Sequence, residues 1–202
     1  MTLAFGGASV DGSAYRDVVD LAQRSPGWLD TVIQVWSTYG LAVFALFMVL
    51  AWWRARRTGA ATAVSALAVP AAVVLAYGVN DLLKTAVHED RPCQSLRVRT
   101  LEACPAHGDW SFPSNHAAIA AAAAVALLFV SRRLGAVACG TAAAMAASRV
   151  WVGVHYPHDV LAGLVVGGLV ALALMPLVNR RSAALARRLT AAAPLRLLLS
   201  GS

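Results

Sequence analysis

Charge is scarce in this sequence. Only 13% of its 202 residues are Asp, Glu, Lys or Arg, about half the share expected of a soluble domain. With 59% hydrophobic residues and a mean hydropathy of +0.64, the composition excludes an ordinary soluble enzyme and points to a bilayer. Strict polar–apolar alternation is also missing, which excludes a membrane β-barrel. The remaining pattern is that of apolar helices. Five candidate spans are predicted: Leu29–Trp53, Ala60–Leu83, Ser114–Val130, Leu134–Val150 and Pro157–Val178, near the length of about 20 apolar residues that a crossing requires. Met1–Val10 has no basic start and no long apolar core, so a secretory signal is not expected. Tyr15–Arg24 reads either as a short amphipathic helix on the membrane surface or as a solvated leader.

Acidic residues are absent from three arginine-rich segments: Arg54–Arg57, Arg132–Arg133, and the tail holding Arg180, Arg181, Arg187, Arg188 and Arg196. All ten acidic residues fall in the alternate segments. This asymmetry argues against nucleic acid as the reason for the net charge of +7, because it follows the positive-inside pattern. The expected organisation is an extracytoplasmic segment 1–28, a membrane domain 29–178 and a basic cytoplasmic tail 179–202. Loops around 84–113 and 148–157 then share the outer side. Trp28, Trp110, Trp151 and Tyr156 are expected at the outer interface, and Trp52 and Trp53 at the inner one.

Cysteine is rare as well. Cys93 and Cys104 lie in the expected outer loop, where oxidation is possible, and both the bonded and the free state stay open. Cys139 falls inside a span, as a packing residue. Gly163 and Gly167 form a small-xxx-small pair suited to close helix packing within one subunit.

Against this apolar background, a set of polar groups converges on one end of the expected bundle: Lys84 and Arg91; Ser114, Asn115 and His116 in "PSNH"; and Ser148, Arg149, His155 and Asp159 in "SRVWVGVHYPHD". Lys84 is the sole lysine among seventeen basic residues. Polar groups at the membrane are costly and usually face a cavity. Three cations suit phosphate, and the unpaired N–H groups at the start of a helix near Ser114 add to an anion cradle. Asp159, in the first turn of the fifth helix, is placed to orient His155 through Nδ1–H, leaving Nε2 to attack. His116 is placed to protonate a leaving oxygen. Asp159 favouring only the helix dipole, and Ser114 acting only as a cap, are the plain alternatives. His88, His107 and His158 read as exposed loop or helix-start residues, with His158 lining the pocket as the lesser alternative. A zinc site of two histidines and an aspartate is disfavoured by the three surrounding cations.

These motifs resemble the type 2 phosphatidic acid phosphatase superfamily: Lys84 with Arg91-Pro92, Pro113-Ser114-Asn115-His116, and Ser148-Arg149 with His155 and Asp159, at the family's spacings. Asn115 stands where the family usually has glycine. The resemblance implies His155 as nucleophile, Asp159 as its orienting partner and His116 as general acid. It also implies phosphate binding by Lys84, Arg91, Ser114, Asn115 and Arg149, with no metal or other cofactor. Over much of the chain the sequence is similar to the small bacterial undecaprenyl-pyrophosphate phosphatases associated with bacitracin resistance. That implies a lipid diphosphate substrate in a bacterial plasma membrane and a site on the extracytoplasmic face. Lys84, a feature of broader lipid phosphatases, leaves phosphatidic acid or phosphatidylglycerophosphate as alternatives. A non-catalytic phospholipid binder or transporter is a remote one.

Overall fold

A computed structural model gives the fold and describes residues 5–191 and 198–199. Arg196 of the tail and the first four residues of the leader lie outside the described residues. The helices run α1 Ala8–Arg24, α2 Gly27–Tyr39, α3 Leu41–Thr58, α4 Ala60–Val87, α5 Pro92–Ser95, α6 Asn115–Leu128, α7 Arg132–Trp151 and α8 Pro157–Thr190. Two short strands, β1 Phe5–Gly6 and β2 Glu89–Asp90, pair in parallel.

The molecule is an all-α membrane bundle. Its interior is made of small residues, and its outer face of large apolar ones. Ala117, Ala118, Ala120, Ala122, Ala123 and Ala126 on α6 are fully buried, whereas Val74, Leu82, Leu161, Val165 and Leu169 on α4 and α8 are exposed. That distribution suits a lipid solvent, where close backbone approach holds helices together and large apolar side chains face outward at no cost. α6 is the axis, packed against α4, α7 and α8. Gly163 and Gly167 of α8 make the approach possible. A Cβ at Gly163 would collide with the carbonyl of Ser114, and one at Gly167 with the carbonyl of Ala118. The predicted small-xxx-small pair therefore packs inside the subunit.

The spans differ from expectation in three places. The first is broken at Gly40 into α2 and α3, bent by 54°; glycine fits the bend, where a side chain would strike the Trp36 carbonyl and Met145. α4 and α8 are each long and apolar enough to cross a membrane, and the bent α2–α3 pair passes as one unit. α6 has 14 residues, a rise of about 21 Å, and is wrapped by protein rather than lipid. α7, Arg132–Trp151, covers the fourth expected span. α8 continues unbroken past residue 178 to Thr190.

Other expectations are corrected by burial. α1 begins at Ala8 and docks on the bundle through Tyr15, Val19 and Ala22 instead of standing alone on the membrane surface. The Tyr15 hydroxyl donates to the Gly153 carbonyl at 2.8 Å. Tyr156 is fully buried, not interfacial, and Cys139 is exposed on α7 instead of packed. Cys93 and Cys104 are disulfide-bonded, closing part of the loop between α4 and α6.

The arginine-rich segments and the convergent polar set lie at opposite ends. Thr58 and Thr62 near the α3–α4 turn share a cavity wall with Ser131 of the α6–α7 turn, and Asn179 of α8 reaches the Phe129 carbonyl at 3.4 Å. Gly167→Ala should lower stability by about 1–3 kcal/mol through overpacking. Gly168→Ala, whose Cβ would sit 3.9 Å from Val125, should leave it unchanged or slightly raised. Thermal unfolding of both variants in detergent checks this.

Candidate active site

Four elements deliver the site. α4 brings Lys84 in its last turn and ends at His88, whose left-handed backbone (φ 49°) turns the chain toward Arg91-Pro92. The loop from Arg91 to Pro113 returns to α6, which starts at Asn115. α7 ends just past Arg149. A turn through Gly153 (φ 88°), packed against Thr100, then presents His155 before Pro157 opens α8. Lys84, Arg91, Asn115, His116, Arg149 and His155 line one cavity of about 270 Å³, together with Glu102, Pro105 and Asp109. The residues predicted from the sequence thus meet in one place. Asp159 stands directly behind His155, and Ser114 lies beneath the start of α6.

The Asp159 carboxylate is fully buried. Its Oδ2 accepts the Tyr156 backbone N–H at 2.7 Å and the Ser111 hydroxyl at 2.5 Å, and lies 3.3 Å from His155 Nδ1. The same Asp159 oxygen therefore caps α8 and lies against His155 Nδ1. With Nδ1–H directed at the carboxylate, Nε2 carries the lone pair. Nε2 lies 3.2 Å from an Arg91 nitrogen that also donates to the Val154 carbonyl at 2.9 Å. Burial, reinforced by Arg91 and Arg149, pushes the His155 pKa down to about 3, against the pull of Asp159. The ring is a neutral base throughout the physiological range.

The cations are held by groups that the motifs do not reveal. Arg91 donates through Nε to the Asp109 carbonyl and through its other nitrogen to the Asp109 carboxylate, both at 2.9 Å. Lys84 Nζ donates to the Trp110 carbonyl at 2.5 Å and stands 4.0 Å from the same carboxylate. Arg91 and Lys84 hold the Asp109 carboxyl below its usual range despite partial burial. Arg149 donates to Ser37 at 2.5 Å and to Glu102 at 3.0 Å. Two carboxylates thus occupy the cation face of the cavity.

At the mouth of α6, Ser114 occupies the N-cap position, but its hydroxyl makes no cap bond and is buried without a partner among the described residues. Its backbone N–H donates to the Asp159 carbonyl at 3.1 Å, joining α6 to α8. Asn80, a buried amide inside the apolar α4, donates to the Pro113 carbonyl at 3.1 Å and to Asn115 Oδ1 at 2.6 Å. A lone Asn in a membrane helix was the signal for it. Ser37, Ser111, Glu102 and Asp109 carry no such signal.

His158 is not an exposed helix-start residue. It is packed between Asp11, Glu89 and Asp159. Glu89, His158 and Asp159 bring one potential ligand atom each within 4.8 Å of one another. Both His158 nitrogens are engaged by carboxylates, so a metal ion there competes with a bound proton. His88 instead stacks edge-on with Trp110, and His107 is exposed.

Comparison with known proteins accords with this geometry. The sequence pattern of the PAP2 superfamily matches residues 65–183, which hold Lys84, Arg91, His116, Arg149, His155 and Asp159. The chain is 34% identical over 138 residues to the undecaprenyl-diphosphatase BcrC of Bacillus subtilis, covering 68% of this chain and 69% of that protein. It is 40% identical over 101 residues to a lipid A 1-phosphatase of Rhizobium etli, covering 48% of this chain and 43% of that protein. Its fold is similar to a solved transmembrane PAP2-type phosphatidylglycerolphosphate phosphatase from Bacillus subtilis, with a TM-score of 0.60 and 21% identity over 84% of this chain and 86% of that one. A buried histidine–aspartate pair under three cations, inside a matched region that spans more than half the chain, makes this protein a member of the PAP2 superfamily of membrane phosphatases.

Proposed function

We propose that the chain removes the terminal phosphate of a polyprenyl diphosphate, with undecaprenyl diphosphate as the favoured substrate, and so returns a cell-wall lipid carrier to use. The observation that carries the chemistry is the Asp159–His155 pair, with His155 on the wall of a cavity also lined by Lys84, Arg91 and Arg149. The terminal phosphate displaces Asp109 and Glu102 from the cations, and its oxygens also take the Ser114 hydroxyl and the first N–H groups of α6. His155 Nε2 forms the bond to phosphorus as the bridging P–O bond breaks. His116 gives its proton to the departing polyprenyl phosphate. Water, deprotonated by His116, then attacks the phosphohistidine and releases inorganic phosphate. The cations stabilise the charge on the equatorial oxygens, and no metal takes part.

Relatedness to BcrC over two-thirds of both chains favours the diphosphate. A place for the lipid tail is offered by an apolar cavity of about 290 Å³ lined by Val32, Ile33, Trp36, Ala147, Ser148 and Trp151, on the α7 turn that carries Arg149. In the bacterial plasma membrane, the arginine-rich end faces the cytoplasm and the site opens outward. Lys84 on the cavity wall favours one second reading, in which the substrate is phosphatidic acid or phosphatidylglycerophosphate. Phosphate release by the purified protein in detergent with chelator, from each lipid separately, tests both. Faster release from the polyprenyl diphosphate is expected; preference for a glycerophospholipid favours the second reading, and no release from any substrate refutes both.

His155→Ala should abolish release while the protein stays folded, and Asp159→Asn should lose less. Equal losses would mean that Asp159 does more than orient. Glu102→Gln should tighten inhibition by orthovanadate about three- to tenfold, roughly 1 kcal/mol, since Arg149 loses a competing carboxylate; weaker inhibition would contradict this. His155 has a folded pKa below its unfolded value, so it stays neutral as pH falls through the usual histidine range. NMR of ring-labelled histidine should show no His155 titration between about pH 8 and 5.

A further inference from the structure

Behind Asp159 lies a second histidine that the proposed chemistry leaves unused. His158 Nδ1 is 2.8 Å from Asp11 Oδ1, and its backbone N–H donates to Asp11 Oδ2 at 2.7 Å. Its Nε2 lies 2.9 and 3.2 Å from the two oxygens of Glu89, which is itself buried. Both ring nitrogens therefore face carboxylates, and a neutral imidazole has only one N–H to offer. A doubly protonated ring satisfies both carboxylates at once. Its charge then stands 3.5 Å from Asp159 Oδ1, the oxygen not used by His155, Ser111 or Tyr156, which is buried and has no hydrogen-bond partner among the described residues. The ring is held flat against Tyr156 at 5.4 Å and 16°, with Phe112 at 5.9 Å. The leader closes the arrangement: β1 pairs with β2, and a Cβ at Gly7 would run into Glu89 and His158.

We propose that His158 is a positioning residue, the buried counter-ion that keeps Asp159 ionised and aligned on His155, and that Asp11 and Glu89 hold it in that role. Resting on the phosphatase reading above, the idea adds a second carboxylate–histidine step running from the leader helix to the nucleophile. The charged and titratable groups facing His158 are Asp11 from α1, Glu89 from β2, and Asp159 and Tyr156 beside it. Those facing His155 are Asp159, Arg91, Ser111 and, across the cavity, Lys84, Asp109, His116 and Arg149.

The test compares wild type, His155→Ala, His158→Gln, His158→Ala and Glu89→Gln in detergent, measuring kcat, KM, the pH profile of kcat and the unfolding midpoint. His158→Gln keeps a donor near Nε2 but removes the charge. It should lower kcat on the order of tenfold, about 1.4 kcal/mol, with KM within about twofold, and His158→Ala should lose more. Glu89→Gln, which removes a carboxylate that favours the protonated ring, should move the alkaline fall of kcat to lower pH by on the order of one unit. Wild-type kcat in a folded His158→Gln, or an unmoved alkaline limb in Glu89→Gln, overturns the proposal. So does a fall in kcat that merely tracks a fall in the unfolding midpoint. If His158→Ala does not fold, the other two variants decide. An inactive wild type, or an active His155→Ala, strikes the underlying phosphatase reading instead.

Discussion

The structure depends on one buried carboxylate. Asp159 caps α8 through the Tyr156 N–H, takes the Ser111 hydroxyl from the incoming loop, faces His155 Nδ1, and through its own carbonyl accepts the Ser114 N–H at the start of α6. Two stretches distant in sequence, 111–114 and 155–159, are joined at this residue. A buried charge is tolerated only when its lone pairs are met by donors or cations. Here Oδ2 receives them directly, while Oδ1 has the His158 ring as its nearest cation. Those contacts also set the tautomer of His155, so the helix cap and the proposed nucleophile share one set of interactions.

The packing explains how the start of α6 reaches His155 at all. α6 can start beside α8 because Gly163 and Gly167 have no side chains and the facing wall of α6 is alanine. Larger residues there would push the Ser114–His116 mouth away from the His155 turn. The same closeness concentrates positive charge: Lys84, Arg91 and Arg149 share a cavity of about 270 Å³, balanced by Asp109 and Glu102. Two unit charges 4 Å apart interact by about 4 kcal/mol at the effective dielectric of such sites. The carboxylates therefore hold the cations in place around the cavity.

Much of this was legible in the sequence. Polar residues are conspicuous in a membrane chain, so Lys84, Arg91, His116, Arg149, His155 and Asp159 stood out, and their convergence followed from the alternation of apolar runs with loops. The helical class followed from the same runs. What was hidden depends on contacts created only by folding. His158 looked like a helix-start residue because its partners, Asp11 and Glu89, lie 147 and 69 positions away. Ser111 and Glu102 sit in a loop whose path no periodicity describes. Tyr156 read as interfacial because aromatic residues gather at membrane surfaces, but α1 docks over it and buries it. The bounds of the third span were not legible: an alanine run is equally apolar whether lipid or protein surrounds it, and the structure starts α6 at Asn115 and ends it at Leu128.

The central claim is a covalent route through His155, and the stereochemical course at phosphorus tests it most directly. A polyprenyl diphosphate whose terminal group is a chiral, isotopically labelled thiophosphate would be hydrolysed in labelled water, and the configuration of the released thiophosphate determined. Two successive in-line displacements, at His155 and then at water, require overall retention. Inversion would mean that water attacks the substrate directly, and His155 would then be a base or a binding group, not the nucleophile.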